Sequence, residues 1–80
     1  MRVIRDFGLV RVVSLGDPFN NSSDIQVQSR LSLESPWTKV AGFNSLSDDY
    51  AYTNALEAAG RAVATVAAHH AHSVPGESHV

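Results

Sequence analysis

The sequence predicts an α+β domain, a three-stranded antiparallel β-meander packed against one C-terminal amphipathic α-helix in the order βββα. Two observations carry this expectation. Apolar and polar residues alternate through the first half, as in Ile25-Gln26-Val27-Gln28, and the pattern changes to a helical period after Ser47. Eighty residues then suffice for one domain, expected over residues 1–72, with 73–80 as a flexible tail.

The first strand is expected within Arg2 to Leu15, a stretch rich in Val, Ile, Leu and Phe whose alternation breaks at Gly8. A bulge at Gly8 within one long strand accommodates that break. The run Gly16-Asp17-Pro18-Phe19-Asn20-Asn21-Ser22-Ser23 consists of turn formers and is too long for a tight hairpin, so it predicts an exposed loop. From Asp24 to Glu34, Ile25, Val27, Leu31 and Leu33 alternate with Gln26, Gln28, Arg30 and Ser32, the period-two signature of a half-buried strand. Ser29 interrupts its apolar side. Ser35-Pro36 stops this strand, because proline offers no ladder donor, and a third, shorter strand is expected over 37–41.

Ser47, followed by Asp48 and Asp49, predicts a helix start with a capping oxygen and two carboxylates near the positive end of the dipole. Tyr52, Ala55, Leu56, Ala59, Val63, Val66 and Ala67 recur at helical spacing and predict the buried face of a helix of about 20 residues. Gly60 in its interior costs about 1 kcal/mol unless another backbone approaches there. A sheet of this size keeps open edges, which invites strand addition from a second copy or a target.

Composition excludes several functions. No cysteine is present, so a disulfide framework is excluded. No apolar run approaches the length of a membrane span, and the charged start Met1-Arg2-Val3-Ile4-Arg5-Asp6 is not patterned as a signal peptide, so the expected location is cytoplasmic. Six Lys and Arg against eight Asp and Glu lack the basic excess of a nucleic-acid binder. Residues 1–40 carry a net +1 and residues 41–80 a net −3, so the negative excess lies in the helical half.

No nucleophile elbow, zinc-peptidase pair or phosphate-binding glycine loop appears, and no enzymatic activity or cofactor is expected. His69, His70 and His72 are the densest set of potential metal ligands; residues 69 and 72 share a helical face, but no acid or cysteine nearby completes a shell. Asp17, Asn20, Ser22 and Asp24 offer oxygens in one loop without EF-hand spacing and are expected to be solvated. Glu77-Ser78-His79-Val80 has the shape of a C-terminal ligand for a PDZ domain.

Phe19 in a polar loop, Tyr50 beside Asp48 and Asp49, and Trp37 after Pro36 are the aromatic residues best placed as interface anchors. Asp48, Asp49, Tyr50, Phe19 and Trp37 are therefore the candidate partner-binding residues.

Three resemblances bear on function. Gly42 to Ala68, a lead-in to an Ala-rich helix, looks like the second half of a double-stranded RNA-binding domain. Asp48 and Asp49 stand where that family places lysines, which removes the implied activity. The βββα order and Ala55-Leu56-Glu57-Ala58-Ala59 are similar to the partner-binding domain of HicB-type antitoxins, which implies a small homo-oligomer joined by sheet edges or by the Ala-rich helix. A compact, slightly acidic, cysteine-free chain with a small sheet and one helix resembles phage-encoded inhibitors such as anti-CRISPR proteins. That resemblance implies a non-enzymatic module that blocks a host protein complex by binding it.

Overall fold

A computed structural model describes residues 1–73, with side chains for residues 1–70. Four strands, β1 (Arg2–Asp6), β2 (Val10–Ser14), β3 (Ile25–Ser29) and β4 (Thr38–Phe43), form one antiparallel sheet in sequential order. Helix α1 (Ala51–Ser73) follows and packs across β2, β3 and β4. The α+β class and the single C-terminal helix agree with the sequence, but the sheet has four strands rather than three.

The extra strand arises at Gly8. Its φ of +86° lies where residues with a Cβ are strained, and the chain turns there instead of bulging. The Gly8 N–H donates to Asp6 Oδ1 at 2.7 Å and the Phe7 N–H to the Val10 carbonyl at 2.8 Å, closing a tight β1–β2 hairpin. Bulges occur elsewhere, at Ile4 against β2 and at Val40 against β3. Both lie on edge strands, where a bulge interrupts the regular ladder that another chain could extend.

The expected strand 24–34 ends at Ser29. Beyond it Arg30 still donates its N–H to the Leu9 carbonyl at 3.0 Å, but the chain then turns, with the Ser35 N–H on the Ser32 carbonyl. Leu31 and Leu33 are consequently 72% and 71% exposed. Their alternation continues the strand pattern in sequence, but among the described residues no partner strand extends to meet it.

Three antiparallel registers define the sheet's faces. Val10, Val12, Ile25 and Val27 point toward the helix and meet Ala51, Ala55, Ala58, Ala59 and Ala62, with Ile4, Ala41, Phe43 and Val66 packed around them. Branched side chains come from the sheet and small ones from the helix, so the helix lies close and the two surfaces interlock. Each fully buried Val or Ile contributes about 1.5–3 kcal/mol relative to exposure. The buried stripe is therefore rotated from the expected one. Tyr52, Leu56 and Val63 are 44%, 38% and 38% exposed on the helix flank.

Polar contacts hold the helix start to the sheet. Asn44 donates through Nδ2 to the Pro18 and Asn21 carbonyls at 2.8 and 2.9 Å, and its Oδ1 accepts the Leu46 and Ser47 N–H groups. Asp48, not Ser47, supplies the capping oxygens, with Oδ1 accepting the Tyr50 N–H at 2.9 Å and Oδ2 accepting Asn54 Nδ2 at 3.0 Å. The helix begins at Ala51 accordingly. Ser73, expected to open the flexible tail, belongs to the helix; residues 74–80 of that tail, with the Glu77–Val80 pattern, lie outside the described residues.

Candidate functional site

Three surfaces concentrate the exposed chemistry. The first lies at the end of the sheet where β2 leaves, β3 and β4 meet through Ile25 and Phe43, and the helix begins. Here the β2–β3 loop presents Phe19, 84% exposed, and the helix start presents Tyr50, 70% exposed. Asn44 ties the two segments together through its bonds to Pro18 and Asn21, the residues flanking Phe19 and Asn20. Asp17 fixes the loop from within, accepting the Asn20 and Asn21 N–H groups on its carbonyl and Asn20 Nδ2 on both carboxylate oxygens.

Beneath this end sits Asp24, 2% exposed, the buried charged group of the core region. Its carboxylate accepts the Ser45 N–H at 2.9 Å and the Ser45 hydroxyl at 2.6 Å. Burial alone would raise its pKa. The Ser45 hydroxyl and the N–H groups of Ser45, Asp24 and Ile25 outweigh that and hold it below the usual aspartate value. Asp24 thus faces inward and does not join Asp17 and Asn20 around a common point.

Four of the five candidate residues, Phe19, Asp48, Asp49 and Tyr50, share this end. Asp49 and Tyr50 are exposed, whereas Asp48 is half-buried, with Oδ1 capping the Tyr50 N–H and Oδ2 held by the Asn54 side chain. Trp37 is elsewhere. It precedes β4 at the opposite end of the sheet and lies on the face turned away from the helix. The Arg11 and Arg30 guanidinium carbons each sit 4.2 Å from its ring centroid. Trp37 is a half-buried clamp for two cations rather than an edge anchor.

That uncovered face forms the second surface. Register aligns Asp6, Arg11, Gln28 and Lys39 in one row across all four strands. Arg11 Nε donates to Gln28 Oε1 at 2.8 Å, Gln28 Nε2 to Gln26 Oε1 at 3.1 Å, and Lys39 Nζ to Ser23 Oγ at 3.1 Å. Sequence reading placed Gln26, Gln28 and Arg30 on a solvated face but missed Arg11 and Lys39. Their alignment with Gln28 depends on hairpin registers, and the bulge at Val40 shifts the last of these by one residue.

The third surface flanks the C-terminal half of the helix. Phe7, Leu9, Val10, Val63, Val66, Ala67 and His70 line an open apolar groove, and Leu31, Thr65 and His69 line a second one with Ser29 and Arg30. His69 and His70 meet edge to face, with ring centroids 6.1 Å apart. The side chain of His72 lies outside the described residues, and no cluster of three or more potential metal ligands occurs among those described. No helix among them is long and apolar enough to cross a membrane. No family model, curated protein or solved structure matches this chain.

Proposed function

We propose that this chain is a non-enzymatic protein-binding module that acts in the cytoplasm by occupying a surface of a host protein complex, in the manner of small phage-encoded inhibitors. The observation that carries the reading is the pairing of Phe19 and Tyr50. Two large aromatic side chains stand exposed at one end of the fold, on segments held together by the Asn44 hydrogen bonds. Aromatic anchors on a pre-ordered surface bind with little further loss of conformational freedom. The exposed carboxylate of Asp49 beside Tyr50 adds a charge that steers a basic partner surface toward this end.

Affinity capture of the tagged chain from its native cell, followed by titration of the recovered partner, tests the reading. Phe19→Ala and Tyr50→Ala each weaken binding at least about tenfold at unchanged melting temperature, the range expected for interface anchors. Full binding by the double variant contradicts this placement. Asp48→Ala is unsuitable as a probe, because it also removes the helix cap.

A second reading, a homo-oligomer joined by sheet edges or by the helix, is favoured by the exposed flank Tyr52, Leu56 and Val63. Light scattering at micromolar concentration separates the two. A dimer that Leu56→Glu dissociates supports self-assembly, and a monomer removes it.

A further inference from the structure

The face of the sheet turned away from the helix carries a cationic array that the Phe19–Tyr50 end does not use. Arg11 and Lys39 flank Gln28 in one row, and Arg30 and Trp37 stand one step along the same strands. Arg30 is committed to the fold, since Nε and Nη2 donate to the Gly8 carbonyl at 3.2 and 3.1 Å and Nη1 donates to the Leu33 carbonyl at 3.0 Å. Arg11 is held differently. Nε bonds Gln28, Nη2 lies 4.0 Å from Met1 Sδ, and Nη1 has no hydrogen-bond partner among the described residues.

No carboxylate pairs with Arg11, Arg30 or Lys39 among the described residues. Asp6, the acid in the same row, is engaged with the Gly8 N–H. One indole therefore holds two guanidiniums together with no anion between them, a concentration of like charge that an incoming anion relieves. Trp37 and Gln28 also orient the Arg11 fork before binding, so little side-chain freedom remains to be lost.

We propose that this face docks an acidic protein surface, with Arg11 and Lys39 receiving its carboxylates. The choice of a protein rests in part on the protein-binding reading above, and two observations support it independently. Guanidiniums already lie over the indole, which leaves it poorly placed to stack on a nucleic-acid base. Three cations in a chain of net charge −2 neutralise few phosphates, whereas a guanidinium fork with unused donors matches a single carboxylate in geometry.

Trp37 is the only tryptophan, so its fluorescence reports directly on this face. The probes are a Glu-Gly repeat peptide of about twelve residues and an oligothymidylate of about the same length, titrated into the full chain at low salt. The peptide is expected to shift Trp37 emission saturably, with affinity reduced at least about tenfold in Arg11→Gln and in Lys39→Gln and by a rise to about 200 mM salt. Phe19→Ala leaves peptide binding unchanged, so failure of this face and failure of the Phe19–Tyr50 end are read separately. Lys39 is exposed, so its variant keeps the test valid if Arg11→Gln unfolds. Tighter binding of oligothymidylate than of peptide overturns the proposal, as does an unsaturable response or peptide affinity unchanged in the folded variants. Light scattering that shows a dimer abolished by Lys39→Gln also overturns it, because the occupant is then a second copy.

Discussion

Asp24 and Gly42 show how single residues hold the Phe19–Tyr50 end in place. Asp24→Ala removes the acceptor of the Ser45 N–H and hydroxyl; Ser45 is exposed, so water takes over these donors and the loss is about 0.5–1.5 kcal/mol for each hydrogen bond. Urea denaturation reads this as a lower midpoint at unchanged slope. The folded pKa of Asp24 is depressed, so its contribution is present above the unfolded aspartate value and disappears as pH falls from about 4 through the lower folded value. Asp24→Asn flattens that part of the acid limb. At Gly42 a Cβ would collide with the Ser23 side chain, with Ser23 Cβ 2.6 Å away. Gly42→Ala therefore destabilises by about 1–3 kcal/mol in the same assay. Ser23→Gly relieves most of the clash, leaving Lys39 Cε at 2.8 Å, the far end of a flexible side chain that can shift, and Ser23→Ala does not, because its Cβ remains. Neither residue shows its role in sequence. Asp24 looks like one more loop oxygen until Ser45, 21 positions later, is seen bonded to its carboxylate.

At the scale of the element, the helix separates what periodicity can tell from what it cannot. The 3.6-residue period locates α1, but it does not choose between the stripe of Tyr52, Leu56 and Val63 and the adjacent stripe of alanines. The sheet decides, because Val10, Val12, Ile25 and Val27 already fill the interface and leave space for small side chains only. Ala59→Leu accordingly costs about 1–3 kcal/mol, while Leu56→Ala stays near 0.5 kcal/mol in thermal unfolding. The same approach settles Gly60, which is exposed with nothing within 4 Å of an added Cβ. Gly60→Ala thus stabilises by about 0.5–1 kcal/mol, seen as a raised melting temperature. The strand count shows the opposite limit. Gly8 marks a break in the pattern, and whether a glycine bulges or turns depends on hydrogen bonds such as Phe7 to Val10 that form only when both strands pair. Leu31 and Leu33 continue an alternation whose burial depends on a neighbouring strand, and no such strand lies among the described residues.

Over the described residues, one helix covers one face of a four-stranded sheet, and charge is divided between the opposite face and the end where the helix begins. Arg11, Arg30 and Lys39 stand on the uncovered face, and Asp48 and Asp49 stand at the helix start with Phe19 and Tyr50. The grouping of Phe19 with Asp48, Asp49 and Tyr50 in sequence analysis corresponds to one end of the fold, while Trp37, placed with them by residue type alone, belongs to the cationic face. Residue type thus selected exposed or half-buried aromatics, and only the register assigned each one to a surface. The central claim is that this end is built to grip a protein. Its most direct test is the affinity of the captured partner for the unaltered chain and for the Phe19→Ala/Tyr50→Ala double variant, measured side by side at matched folding. A loss of about a hundredfold or more, as two independent anchors imply, is the predicted result, and equal affinity contradicts the account.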